Sequence, residues 1–580
     1  MTTSRPETSA TVIDHILDRL SALGVRHLFG MPGDYNLEVL DRVLAHPRVK
    51  WVGTTNELGA AYAADGYGRA NGFGALLTTF GVGELNAING VAGSYAERVP
   101  VLHIVIGPTR ATERAGGLVH HTVGDGDFDR FARAHRQVVC ADAVLRPQDA
   151  LSEVDRVVTA CLRESRPGYL RIPRDVALGP AAPRPPLAAP DMKAADAESL
   201  EAFRAAARAR LAGSDDAAVL ADFLVDRFHA RTELAALVAA GPLPHATTMA
   251  GKTVVDEGNP GFLGLYAGAS SEAVVRATID RADPLIMAGV VLTDLATGKF
   301  THEFDPGRAI DLGPETAKVD GVAFPGVPLA AALEVLTELV KEHPPARAPV
   351  TAPERRRDVS STAHLVTAVR KTAGAVGRAL CGPRTSLTQS YLWEAVGDAV
   401  RSDYTVYADN GTAMMGVAGR RFPSGARFVA QPLWASIGYA IPALLGQLAD
   451  PSRRGLLLIG DGAAQLTAPE LGVIGRHRLN PIVVLVNNDG YTVERATHGE
   501  RAVYNDVVRW HWPEVPTAVG VPHPLVLSAR RPAELDRALA RAAATEDRLV
   551  LIEVFLHKDD VPPSFHRMTA NRPDRAKWVP

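Results

Sequence analysis

Short runs rich in apolar residues recur along the chain, and each is followed by a segment of helical periodicity. In the first third these runs are 26–29, 49–53, 75–80 and 101–106; in the middle they are 217–220, 284–291 and 309–312. In the last part, 455–459 and 481–486 bracket a helical stretch at 467–477. A strand that is apolar on both faces must be covered on both, which in chain order means strand, crossover helix, parallel strand. The expected class is therefore α/β, with mostly parallel sheets flanked by helices. At 580 residues one core cannot serve the whole chain. Two Pro/Ala-rich stretches, 179–191 and 344–358, have compositions that cannot bury a core and read as linkers. They divide the chain into three expected domains, 1–180, 192–343 and 359–580.

Charge and segment composition exclude several classes. Lys+Arg 62 against Asp+Glu 65 leaves a net charge of −3, so no basic field invites nucleic acid and no polybasic patch invites a membrane. No apolar run reaches the length of a membrane span, and the first ten residues carry no apolar leader. Cys140, Cys161 and Cys381 are scattered and form neither a disulfide framework nor a zinc pair. The expectation is a cytoplasmic protein.

The most informative motif lies at 460–491. One apolar run ends in Gly460-Asp461-Gly462 and the next in Asn487-Asn488. In a parallel sheet both strand tips share one edge, so the Asp461 carboxylate, the Asn488 amide oxygen and the Gly490 carbonyl can converge. Such a hard-oxygen half-shell suits Mg²⁺ when phosphate oxygens and water complete the octahedron. Glycines let backbone approach a diphosphate closely, beside a helix expected to begin near Thr467. A bare Gly-Asp-Gly is a common turn; the pairing with Asn-Asn at this spacing is the specific part.

Further segments carry a resemblance. They are FGMPGDYNLEVLD (29–41), TTNELGAAYAADGYGRA (54–70), TTFGVGELNAINGVAGSYAE (78–97), HHTVGDGDF (120–128) and NNDGYTVERATHG (487–499). Together with the Gly-Asp-Gly motif, the chain from about Thr11 to Met568 resembles the thiamine-diphosphate-dependent pyruvate, indolepyruvate and branched-chain 2-oxo acid decarboxylases. The order of pyrimidine-binding, middle and diphosphate-binding domains is similar too. The resemblance implies thiamine diphosphate and Mg²⁺ as cofactors. It also implies non-oxidative decarboxylation of a 2-oxo acid to an aldehyde and CO₂ through a cofactor ylid and enamine.

The same resemblance assigns residues. Glu57 would protonate the cofactor's aminopyrimidine; by position alone it reads as a glutamate at a helix N-terminus. Ile437 would bend the cofactor, though composition would make it core. Asp34, His120, His121 and Glu494 would be the acid–base groups around the substrate. A His-His pair is otherwise an ordinary surface feature. Zinc carries little weight there, because adjacent side chains diverge and no third ligand spacing appears. The cofactor contacts implied are Glu57, Thr79, Thr412, Ser436, Ile437, Asp461, Gly462, Ala463, Asn488, Gly490 and Tyr491, with Asp461, Asn488 and Gly490 on the metal. Leu295, Met414, Val493 and Met568 would line the substrate pocket. None is an aromatic plug, which favours medium or large apolar 2-oxo acids, branched or aryl, over pyruvate. Asn410, and Arg572 in the divergent tail, point the other way, toward an acidic or hydroxylated side chain. Ala463 stands where such enzymes commonly have serine. Two other readings stay open: a carboligase, which captures the same intermediate with a second aldehyde, and a silent cofactor-binding subunit. The assembly expected is at least a homodimer and by resemblance a homotetramer, a dimer of dimers, because the Glu57 domain of one subunit would meet the Gly-Asp-Gly domain of another.

Overall fold

A computed structural model of the chain describes residues 10–188, 190–214, 216–343, 386–499 and 501–570. The first sheet has six strands: β1 His27–Gly30, β2 Lys50–Gly53, β3 Gly74–Thr79, β4 Val101–Gly107, β5 Ala141–Val144 and β6 Gly168–Pro173. Their order is β2-β1-β3-β4-β6-β5 and every pairing is parallel. The central strands β3 and β4 are buried at every position, which is why they read as unbroken apolar runs.

The middle sheet orders seven strands as β13-β12-β11-β10-β7-β8-β9. They are β7 Ala218–Ala221, β8 His245–Thr247, β9 Phe262–Leu265, β10 Leu285–Ala288, β11 Ile310–Leu312, β12 Thr316–Val319 and β13 Val322–Pro325. One edge departs from the expected βα alternation. β11, β12 and β13 pair antiparallel, with β12 and β13 joined through Asp320 and Gly321 at φ +48° and +78°. Two consecutive positive φ values make the tight turn whose twist suits a hairpin, and Asp-Gly is the dipeptide that adopts it at least cost.

The last sheet is again six-stranded and wholly parallel, in the order β15-β14-β16-β17-β19-β18. Its strands are β14 Tyr404–Ala408, β15 Arg427–Val429, β16 Arg454–Gly460, β17 Ile482–Asn487, β18 Leu525–Ala529 and β19 Val550–Phe555. The helical stretch expected at 467–477 is in fact two helices, Asp461–Thr467 and Glu470–Arg476. Pro469 stands between them; with no N–H to donate and a ring that crowds the preceding turn, it ends the first helix and starts the second. The first helix thus begins at the strand tip itself rather than near Thr467.

The 179–191 stretch lacks helix or strand over its described residues, and Gly179 O accepts the Val12 N–H at 3.1 Å. The 344–358 stretch and Cys381 lie outside the described residues. Cys140 and Cys161 are both free. No helix among the described residues is long and apolar enough to cross a membrane.

The first and last domains share a seam. The helix Glu57–Asn71 is capped at its start by Asn56 Oδ1, which accepts Gly59 N–H at 2.7 Å, and at its end by Gly72 at φ +88°. Midway, Gly66 meets Ala443: a Cβ on Gly66 would stand 2.1 Å from the Ala443 carbonyl oxygen. One turn on, a Cβ on Gly446 would stand 2.4 Å from the Gly66 carbonyl carbon. Backbone rests on backbone, and only glycine permits that approach. Tyr439 OH donates to Asp65 Oδ1 at 2.5 Å and Arg69 Nη1 to Ala430 O at 3.0 Å across the same seam.

Candidate functional site

β16 and β17 are parallel neighbours with Gly460 opposite Val486, so the two strand tips do share one edge. Asp461 is 2% and Asn488 4% exposed. The Asn488 side-chain amide reaches Asp461 Oδ1 at 3.3 Å and Gly490 O at 2.9 Å. With its oxygen turned toward them, three acceptors would repel one another unless a cation sat among them. Oxygens bound side by side on an ion of Mg²⁺ size lie about 3 Å apart. With its nitrogen turned toward them, the amide donates to both oxygens and accepts from Thr492 Oγ1 at 2.9 Å, so a bound cation would select the first orientation. Burial pushes the Asp461 carboxyl up to about 6, partly opposed by backbone N–H donors at Gly462, Asn488 and Gly490. A buried carboxylate with no positive partner is costly, and a cation beside it would relieve that cost.

Around this point, Gly462 and Ala463 open the helix Asp461–Thr467, and the Tyr491 ring fills the place a Gly462 side chain would take, 2.6 Å away. Gly490, at φ +130°, leaves no room for a Cβ beside Asn505 O. Thr412 starts the helix Thr412–Ala418 after Gly411 at φ +115°, and a Cβ on Gly411 would touch Val493 at 4.0 Å. Ser436 Oγ and Tyr62 OH share a hydrogen bond of 2.5 Å. Ile437 is half-buried against the large core of the first and last domains. Glu494 stands exposed on the helix Thr492–Thr497.

A second cluster belongs to the first domain. Glu57 opens its helix, half-buried, and Oε2 accepts Asn86 Nδ2 at 2.8 Å. Its other oxygen lies 3.1 Å from the Cβ place of Gly83. Thr79 is 4% exposed and its Oγ1 is buried with no hydrogen-bond partner. It stands over Gly33, where any side chain would overlap it. Asp34 Oδ2 and His120 Nε2 share a hydrogen bond of 2.5 Å. His121 sits beside them, its ring 4.7 Å from that of His120.

The orphan Thr79 hydroxyl, the glycine gaps and the unpaired Asp461 carboxylate all fit a cofactor with a diphosphate at one end and a polar ring at the other. Among the described residues no hydrogen bond or ion pair links Asp34, Glu57, His120 or His121 to Asp461, Asn488 or Glu494. Val82, Leu85, Leu466 and Val508 are exposed apolar residues of the first and last domains.

The expected pocket residues come from different elements. Leu295 lines a crevice with Phe223, Met249, Ala250 and Leu433. Met414 is packed into the apolar core of the last domain, 1% exposed. Met568 lies on the helix Pro563–Ala570, its side chain outside the described residues, as is Arg572. Asn410 Nδ2 donates to Gln431 O at 3.2 Å and to Ser436 O at 3.4 Å, so this polar group is committed to backbone.

Two residues that carry the site were missed. Glu84, fully buried, accepts Gly81 N–H at 2.8 Å and Tyr169 OH at 2.6 Å. It thereby fixes Gly81 at φ +71°, where a Cβ would collide with His121 O at 1.8 Å. The His120–His121 loop leans on that glycine. His135 Nδ1 approaches Glu84 to 3.7 Å, but burial raises Glu84 to about 7 and lowers His135 to about 4. Between those values both are neutral, so the contact is no ion pair. Glu470, also fully buried, accepts Thr55 N–H at 2.9 Å and Thr55 Oγ1–H at 2.6 Å. It reaches from the last domain to the turn that precedes Glu57. The only sequence signal for either was its place inside a motif already singled out.

Residues 10–129 match the thiamine pyrophosphate enzyme N-terminal TPP binding domain, 204–339 the central domain and 409–554 the C-terminal TPP binding domain. The chain is 47% identical over 564 residues to an alpha-keto-acid decarboxylase of Mycolicibacterium paratuberculosis, covering 97% of this chain and 96% of the relative. It is 47% identical over 563 residues to a protein of the same name from Mycobacterium ulcerans, covering 95% and 94%. For that of Mycobacterium tuberculosis the identity is 46% over 553 residues, covering 95% of each.

Proposed function

The chain belongs to the thiamine-diphosphate-dependent 2-oxo acid decarboxylase family, and from that premise we propose that it cleaves an apolar 2-oxo acid to an aldehyde and CO₂. The observation that carries the reading is the convergence of the Asp461 carboxyl, the Asn488 amide and the Gly490 carbonyl in a buried, otherwise uncompensated site. These three residues would hold Mg²⁺, and Gly462, Ala463 and Tyr491 would border the diphosphate. When bound, thiamine diphosphate supplies a thiazolium that accepts the electron pair released as CO₂ leaves. The chain's own residues do the rest. Glu57, steadied by Asn86 at one carboxyl oxygen, would exchange a proton with the cofactor's polar ring through the other, with the unpartnered Thr79 hydroxyl able to bond there. Asp34 Oδ2 and His120 Nε2 share a proton that His121 and Glu494 can help deliver to the carbon vacated by CO₂.

The domains bounded at 1–180, 192–343 and 359–580 act as a cytoplasmic enzyme assembled as a homodimer or a dimer of such dimers. Among the described residues no hydrogen bond or ion pair links the Glu57 group directly to the Asp461 group, which fits a site that draws Glu57 from one subunit and Asp461 from another.

Val493 directly precedes Glu494 and carries no aromatic bulk, which favours long apolar side chains. Each buried methylene contributes about 0.8 kcal/mol, so two or three would favour the larger substrate by roughly ten- to sixty-fold. The test is kcat/KM for pyruvate, 4-methyl-2-oxopentanoate, phenylpyruvate and 2-oxoglutarate, following both CO₂ and aldehyde. A preference for pyruvate or 2-oxoglutarate rejects the apolar reading. Absence of CO₂ release from all four rejects the decarboxylase reading.

A further inference from the structure

We propose that Asp34, His120 and His121 form a binding site for a divalent transition cation of the zinc class, separate from the oxygen site at Asp461. One ligand atom from each of the three lies within 4.8 Å of the other two. Sequence spacing argues against such a site, because neighbouring side chains diverge on an extended chain. The backbone removes the objection. His121 has φ +62°, a left-handed turn that brings its ring back beside that of His120, nearly perpendicular at 81°. The missing third ligand arrives from 86 residues away as Asp34.

The donors are held in place by a fourth residue. Tyr35 stacks on His120 at 4.9 Å with planes 6° apart and meets His121 edge-on at 5.8 Å. Its hydroxyl donates to His120 O at 3.2 Å. His121 Nδ1 is buried with no hydrogen-bond partner. Two imidazoles and one carboxylate are the donor set of open zinc sites, in which a water or substrate takes the fourth position. Ligands on such an ion sit closer together than 4.8 Å, so the set must draw in. Asp34 and His120 are 51% and 57% exposed at their side chains, so a small rotation toward the ion meets no packed core.

Donor chemistry sorts the two sites. Mg²⁺ takes oxygen ligands and shuns imidazole, whereas Zn²⁺, Co²⁺ and Ni²⁺ bind imidazole well. An enzyme loaded with Mg²⁺ at Asp461 therefore still offers the histidine site to a second metal. A cation there removes Asp34, His120 and His121 from proton transfer, so it blocks turnover without expelling the cofactor. That consequence rests on the acid–base reading above; the binding itself does not.

The experiment uses the full chain with saturating thiamine diphosphate and excess Mg²⁺. Co²⁺ is titrated by its visible absorption and Zn²⁺ by calorimetry. The expected result is one strong site per chain, weakened at least about 100-fold in Asp34→Asn and in His121→Gln and unchanged in the surface control His523→Gln. Three results would overturn it: binding no stronger than that of scattered surface histidines, binding indifferent to both substitutions, or displacement of the metal by added Mg²⁺. Zinc that binds with the expected mutational signature yet leaves turnover untouched upholds the site and defeats the acid–base reading instead.

Discussion

Glu57 and Glu84 show how differently two glutamates of one domain are used. Glu57 is half-buried with one oxygen on Asn86 and the other at an open glycine edge. Glu57→Gln keeps the shape and the contact with Asn86 but cannot exchange a proton. Turnover should fall by about 10²–10⁴-fold with folding and Mg²⁺ binding intact, as checked by kcat, melting temperature and metal titration. Glu84 is instead a strut. In the fold its carboxyl titrates at about 7 against an ordinary 4.5, so the native state keeps a proton that the unfolded chain releases. That contribution is complete below pH 4.5 and is lost as the pH rises to about 7. Glutamine retains an acceptor for Gly81 N–H and does not titrate. The stability of wild type relative to Glu84→Gln should therefore drop by up to about 3 kcal/mol between pH 5 and pH 8, read from denaturation at each pH. A pH-independent difference would show that Glu84 is ionised throughout. His121 carries a third lesson at this scale. Its left-handed backbone overturns the expectation that neighbouring histidines point apart, and φ is not written in a residue's identity.

At the scale of elements, strands buried on both faces were plain in the sequence; the pieces between them were less so. β3, β4, β16 and β17 were located to within a residue or two because their apolar runs have no other use. The helix after Gly460 was misplaced because periodicity was followed through Pro469, a residue that breaks it. The β12–β13 hairpin announces itself as Asp-Gly and was passed over in favour of the surrounding βα rhythm. The proposed metal end of the site was legible because Asp461 and Asn488 are tied to strand tips. Glu470 was not, since its partner Thr55 lies 415 residues away. That link carries a prediction. Glu470→Ala leaves the Thr55 N–H and hydroxyl unsatisfied, at about 1–3 kcal/mol, and loosens the turn that aims Glu57. Both melting temperature and kcat should fall, and Glu470→Gln should restore most of each. An alanine variant with unaltered kcat would detach Glu470 from the site.

For the whole molecule, the proposed sharing of each site between two chains has a direct test. Glu57→Gln and Asp461→Ala should each be inactive alone. Mixed under conditions that let subunits exchange, they should recover up to about a quarter of the wild-type sites, because half the dimers are mixed and each has one site intact. A monomer with full activity in sedimentation would refute the arrangement. The domain boundary near 344–358 and the tail beyond residue 570 fall outside the described residues, so the sequence remains the guide there.

The glycine seam between Glu57–Asn71 and the 443–446 turn bears on motion. Where carbonyl rests on α-carbon at Gly66 and Gly446, there is no layer of side chains to act as a lubricant, and neither sliding nor hinging leaves the contact intact. The first and last domains are a single chassis. Opening and closing during a catalytic cycle must then belong to parts that hang from it, such as the exposed 115–127 loop that carries His120 and His121, and product escape would be timed by those parts rather than by domain rotation. Amide hydrogens on the two sides of the seam should exchange at matched slow rates while those of the loop exchange fast. Independent exchange across the seam would mean that the chassis flexes.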